Sequence, residues 1–293
     1  MFGLAAGVAA WGHFYMSGKI AASGNMQSMI NYSTSCPEYC YYKTFEGCDS
    51  LTTAPTLPAT NLAPYCYFNM FDGCTNLVNA PELPATTLAQ NCYAYMFDGC
   101  TRLVNVPDLP ATNLAYQCYL FMFDGCTNLV NAPELPATTL VEDCYSCMFK
   151  GCTSLTVAPE LPATYLERYC YNSMFEGCTS LTTTPSILPA TTLAPHCYYS
   201  MFEGCSSLTT APKLPATNLA EACYDYMFEE CTNLNYVNVG FTKWNLIENE
   251  NELSTIGWLT SVSPTGTFVC PEGLDRTQRG ADYIPEGWTV ETY

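Results

Sequence analysis

Residues 66–74 read Cys66-Tyr67-Phe68-Asn69-Met70-Phe71-Asp72-Gly73-Cys74, and the same frame returns eight times down the chain. Its first cysteine falls at Cys40, Cys66, Cys92, Cys118, Cys144, Cys170, Cys197 and Cys223. Its second falls at Cys48, Cys74, Cys100, Cys126, Cys152, Cys178, Cys205 and Cys231. The steps are 26 residues, with a single 27, which is too regular for chance. Self-similarity at this period marks a solenoid in which each unit is one supersecondary element.

Within a unit, Leu62, Cys66, Tyr67, Met70 and Phe71 stand at i, i+4, i+5, i+8 and i+9, a spacing that predicts one face of a short helix. Gly73 then falls where a helix C′ residue takes the left-handed conformation. Glycine fills this place in seven units, and Glu230 replaces it in the last. After the second cysteine a leucine column (Leu51, Leu77, Leu103, Leu129, Leu155, Leu181, Leu208, Leu234) predicts a short strand. Prolines such as Pro81 and Pro84 remove backbone donors and end it. The predicted fold is therefore an α/β repeat solenoid with one short strand and one short helix per 26-residue unit, closed by β-rich caps. Residues 34–237 form the eight-unit array, residues 1–33 its N-terminal cap and residues 238–293 its C-terminal cap. The predicted core includes Cys66, Cys74, Cys92, Cys100, Leu77, Leu103, Phe71 and Phe97. A lone unit cannot bury its apolar face, so neighbours must cover both sides of each.

The chain carries 9 Lys and Arg against 27 Asp and Glu, a net charge of −18. That balance repels nucleic-acid phosphates and anionic lipid. No run of 18 apolar residues exists to build a spanning helix, so membrane insertion is not expected. The apolar start, Met1–Met16, has no basic region before it and reads as a first strand or hairpin rather than a signal peptide. Nineteen cysteines by count suggest a disulfide scaffold. On a helix, however, the two cysteines of a unit would lie about 12 Å apart, and equivalent cysteines of adjacent units would point in parallel, both poor for a bridge. Two columns of buried free thiols are expected instead; Cys36, Cys147 and Cys270 fit neither column.

The core Phe71-Asp72-Gly73-Cys74-Thr75-Asn76-Leu77, recurring across residues 36–237, resembles the BspA-like leucine-rich repeat of bacterial surface proteins and some phage proteins. The stretches Trp258–Phe268 and Ile284–Val290 are similar to the closing segment of such proteins. The resemblance implies a right-handed coil with a parallel sheet on one side. It also implies non-catalytic adhesion or recognition, extracellular, at a bacterial cell surface or on a virion, with a host protein or glycan as partner. The alternative is a structural component touching neighbouring subunits of a larger assembly.

Three columns are candidate sites. The residue before each glycine (Glu46, Asp72, Asp98, Asp124, Lys150, Glu176, Glu203, Glu229) is acidic in seven of eight units. Asp72, Asp98 and Asp124 are the candidates there for a hard divalent cation, against a reading as a solvated acidic edge. The residues after the leucine column, such as Val78-Asn79 and Thr182-Thr183, form a ladder suited to a glycan or protein, or simply to strand packing. On the outer face of the predicted helix, Tyr42, Phe68, Tyr95, Leu120, Phe121, Tyr199 and Tyr226 place exposed rings one coil apart. Of these, Tyr42, Phe68, Tyr95, Phe121, Tyr199 and Tyr226 are the candidate ligand-binding residues. Catalysis finds no motif: His13 and His196 lie in distant segments, and thiols without a basic partner are inert. No enzyme activity, cofactor or firm metal site is expected.

Overall fold

The computed structural model describes residues 21–244 and 253–293. Met1–Met16, His13 and most of the expected cap over residues 1–33 lie outside the described residues, as do residues 245–252 of the expected C-terminal cap.

The frame that opens with Cys66 folds as a ribbon of consecutive turns rather than a helix. Tyr65, Tyr67, Asn69, Phe71 and Gly73 donate their N–H groups to the carbonyls of Gln90, Cys92, Ala94, Met96 and Asp98 in the next coil, at 2.8–3.0 Å. The residues between them, Phe68, Met70, Asp72 and Cys74, donate back to the residue three earlier, at 3.0–3.4 Å. Every second N–H thus points along the stack, which an α-helix forbids because all its donors are spent inside one segment. A left-handed residue every fourth position keeps the ribbon flat: Tyr65, Asn69 and Gly73 have φ of 58°, 52° and 69°. The same rhythm recurs at Asn91, Tyr95 and Gly99, and on to Ala222, Tyr226 and Glu230. The expected helix per unit is therefore corrected. Among the described residues the helical element is a 3-10 turn, Met26–Ile30, beneath the first coil.

The strand is likewise reduced, to single parallel bridges such as Asn79↔Asn105, Asn131↔Val157, Val157↔Thr183 and Thr210↔Tyr236. A second row of bridges follows the prolines, at β1 (Ser35–Cys36) with β2 (Asn61–Leu62), Thr87↔Asn113 and Thr139↔Tyr165. Prolines between the two rows, such as Pro81 and Pro84 between Asn79 and Thr87, keep the bridges short. Longer pairing returns past the eighth unit, where β3 (Tyr236–Asn238), β4 (Thr267–Cys270) and β5 (Thr289–Thr292) form a parallel sheet. The ribbon continues there too: Tyr224, Tyr226, Phe228 and Glu230 donate to Ser254, Ile256, Trp258 and Thr260, and Trp258 is fully buried.

Stacking identical side chains builds the core. The phenylalanines from Phe45 to Phe228 pile with centroids 5.4–5.6 Å apart and ring planes within 8°. A parallel pile runs from Tyr41 to Tyr224 at 5.6–5.9 Å. Cys66, Cys74, Cys92, Cys100, Leu77, Leu103, Phe71 and Phe97 are all completely buried. All nineteen cysteines are free. Thiols of the second column also bond to the backbone. Cys74 Sγ donates to the Phe45 carbonyl at 3.1 Å, and the pattern repeats through Cys231 and Phe202 at 3.0 Å. The Phe45 carbonyl already accepts the Cys48 N–H, so the thiol occupies its second lone pair.

Glycine before the second cysteine reflects conformation more than crowding. A Cβ on Gly99 would sit 3.7 Å from the Gly73 backbone, an ordinary contact, but φ is +65°. Gly99→Ala is expected to lower stability by about 1 kcal/mol through this strain. A urea titration showing a loss above about 3 kcal/mol would mean that a steric clash dominates instead.

Candidate functional site

The outer edge of the turn ribbon carries the aromatic candidates, and the four-residue rhythm decides how they meet. Tyr42 and Phe68 occupy one register, Tyr95 and Phe121 the next, left-handed one, with φ of 56° and 52° for the latter pair. Tyr42 stacks on Phe68 at 5.2 Å and 6°. Phe68 tilts against Tyr95 at 5.5 Å, and Tyr95 stacks on Phe121 at 4.9 Å and 10°. The four form one ladder across four coils. Tyr39 and Tyr65 extend it sideways, stacked on each other at 5.1 Å, with Tyr65 also 5.8 Å from Phe68.

Tyr199 and Tyr226 do not join this ladder. They belong to a second patch, where Tyr199 meets Tyr226 edge-on at 5.5 Å. His196 stacks on Tyr169 at 4.7 Å and tilts against Tyr199 at 5.8 Å. In the left-handed register Cys147, Ser173 and Ser200 separate Phe121 from Tyr226. The six predicted rings are half-buried rather than fully exposed, and Leu120 is buried. Tyr39, Tyr65, Tyr169 and His196 escaped the sequence reading although the 26-residue step pairs Tyr39 with Tyr65. His196 is part of a ring cluster, 3.8 Å from Glu221 Oε1. Burial, then Arg168, holds its imidazole below the usual value, so it is mostly neutral at pH 7.

The acidic column runs beside these rings and is half-buried, not a freely solvated edge. With no helix present in the ribbon, a helix dipole plays no part in its energetics. Asn69 Nδ2 donates to Asp72 Oδ2 at 2.7 Å, and Lys150 pairs with Glu176 at 2.8 Å. At Asp98, burial, then the charges of Asp124 and Asp72, push the carboxyl up to about 7 against the opposing pull of the Gly99 N–H. Asp72 and Asp124 are raised as well, chiefly by burial. Asp72, Asp98 and Asp124 stand one per coil in a line. Among the described residues no group of three or more His, Cys, Asp or Glu converges as a metal site.

The ladder beyond the leucine column is exposed at Asn79, Asn105, Asn131 and Val157. Asn105 Nδ2 donates to Asn79 Oδ1 at 2.6 Å. Beside it, Asn131, Glu134, Val157, Pro159 and Glu160 line a groove of about 370 Å³. No helix of the described residues is long and apolar enough to cross a membrane. The family pattern described as "BspA type Leucine rich repeat region" matches the chain in six copies, over residues 38–182 and 169–251. No curated protein and no solved structure matches it.

Proposed function

Because the chain belongs to the BspA-type leucine-rich repeat family, whose arrays are typically non-catalytic interaction or surface modules, we propose that it recognises a protein through its aromatic ladder. The setting of this recognition is extracellular, on a bacterial cell surface or a virion. Residues 34–237 supply the recognising array, and the segments 1–33 and 238–293 close its ends.

The stacking of Tyr42, Phe68, Tyr95 and Phe121 carries this reading and favours a protein over a glycan. A sugar docks its C–H groups against the face of a ring. Here the faces of Tyr42–Phe68 and Tyr95–Phe121 are spent on each other, within 10° of parallel. What points outward is ring edges, which are the electropositive part of an aromatic, and the Tyr hydroxyls. Edges and hydroxyls suit carbonyls and apolar side chains of a protein, the contacts in which Tyr is enriched at interfaces. The net charge of −18 steers toward a basic partner.

Serine is already accepted in the left-handed register, at Ser173 and Ser200. The double variant Tyr95→Ser with Phe121→Ser should therefore keep its fold while weakening binding at least about tenfold. The labelled chain would be titrated on a panel of bacterial and animal cell surfaces. Binding that survives periodate treatment, vanishes after protease and drops in the double variant is expected. Binding abolished by periodate, or untouched in the double variant, overturns the proposal.

A further inference from the structure

The residue after the first proline of each unit changes sign along the array. It is Glu82, Asp108, Glu134 and Glu160 in four successive coils, then Ser186, then Lys213, so an acidic row ends in a cation. The one 27-residue step of the repeat falls at the same place, its extra residue at Ser186-Ile187. There Thr183, Ser186, Thr210, Lys213, Tyr236 and Asn238 line a groove of about 420 Å³, within the size range of small-molecule sites. These side chains find few partners inside the fold. Lys213 pairs with no carboxylate among the described residues, and its Nζ stands 5.8 Å from the centroid of the Tyr293 ring. Thr183 and Thr210 are exposed, and Tyr236 bridges Thr210, which sets its side chain on the same side of the ladder. Unlike the rings of the aromatic ladder, Tyr236 stacks on no other ring among the described residues, so its face is not spent on a neighbour. Asn238 Oδ1 is closed off from solvent and meets no donor among the described residues, a cost to the fold that an incoming donor relieves.

We propose that this groove binds a carboxylated sugar, a uronic acid or a short chain of them. The carboxylate pairs with Lys213, and sugar hydroxyls bond to Thr183, Ser186 and Thr210. One hydroxyl donates to the Asn238 amide oxygen once that amide turns toward it, and the C–H face of the sugar lies on Tyr236. Each lining group then has a partner. A bare anion leaves the ring and the amide unmet, and a neutral sugar leaves the ammonium unmet. The acidic stretch of the same groove at Glu134 and Glu160 repels the ligand and confines it to the Lys213 end. The site shares no residue with the aromatic ladder at Tyr42, Phe68, Tyr95 and Phe121, so the two bind independently. A single small contact of this kind binds at about 1 mM.

The full chain would be titrated, by ligand-observed nuclear magnetic resonance, with trigalacturonate, its methyl ester and triglutamate. Trigalacturonate should bind, and the ester, which keeps the shape and loses the charge, should bind at least about tenfold more weakly. Lys213 and Thr210 are exposed, so Lys213→Gln and Thr210→Val should keep the fold; the first should weaken trigalacturonate about tenfold and the second several-fold. Exposed Lys243 is the control for net charge, and Lys243→Gln should change nothing. The double variant Tyr95→Ser with Phe121→Ser should also leave sugar binding intact, which separates this site from protein recognition by the ladder. No binding of trigalacturonate at about 10 mM, equal binding of the ester or of triglutamate, or an unaltered affinity in Lys213→Gln overturns the proposal. The comparison of acid with ester on the wild-type chain decides the matter even if a variant fails to fold.

Discussion

Phe123→Ala should cost about 3–5 kcal/mol of folding stability. Phe123 is completely buried and stacked at 5.6 Å on both Phe97 and Phe149. Removing its ring leaves a void that the stack cannot collapse to fill, since coil spacing is held by backbone bonds from Phe97 to Met122 and from Phe123 to Met148. The consequence is also cooperative. In a repeat array each unit touches only its neighbours, so a weak junction in the middle uncouples the halves. Calorimetry should show the single melting transition broaden or divide, and urea titration should report the loss. A loss under about 1 kcal/mol with an unchanged transition would show that the ring pile follows the backbone and does not hold it.

The second large effect is a stability that falls as pH rises. Asp98 is pushed from an ordinary 3.8 to about 7, and Asp225 to about 6, in both cases first by burial. Asp72, Asp124, Glu203 and Glu229 are raised for the same first reason. A carboxyl whose pKa is higher in the fold than in the open chain holds more protons when folded. Its contribution is therefore fully present below about pH 4 and is lost as pH rises through the folded value near 6 or 7. Exposed Asp275 runs the other way, lowered by the Thr277 hydroxyl. The melting temperature should be several degrees lower at pH 8 than at pH 5, the reverse of ordinary acid unfolding. Asp98→Asn should gain on the order of 1–2 kcal/mol at pH 8 after allowance for solvent screening, and nothing at pH 4. An Asp98→Asn variant no more stable than wild type at pH 8 would show that the column repels far less than its geometry implies.

The columns were legible in the sequence because the 26-residue step fixes which residue stacks on which, whatever the backbone does between. Burial of Cys66, Phe71 and Leu77 follows from that alone. The helix was misread because Cys66, Tyr67, Met70, Phe71 and Cys74 repeat with a period of four, and nine residues are too few to separate four from the helical 3.6. The distinguishing sign was Asn69 four residues before Gly73, since both residue types accept a positive φ. Tyr95 and Phe121 stand one position further from the first cysteine of their units than Tyr42 and Phe68, so the ladder bends across two rows that a helical wheel keeps apart. The second patch is harder to read because the positions equivalent to His196 are aromatic at Tyr39, Tyr65 and Tyr169 but are broken by Asn91, Gln117 and Asp143 between them.

The donors of the ribbon all face one way. From Tyr39 bonding to Pro64 through Phe228 bonding to Trp258, each N–H that leaves its own coil reaches toward the C-terminal one, and the carbonyl that accepts it looks back. The molecule is thus a vector: its two ends carry opposite partial charge, positive where the last donors emerge. There the Gly257 N–H is met by the Asp282 carboxylate at 2.7 Å, an anion at the electropositive terminus. Such an object has a head and a tail. Coils can be spliced into it or removed from it only in the same orientation, and two bare ends would join end to end but never face to face.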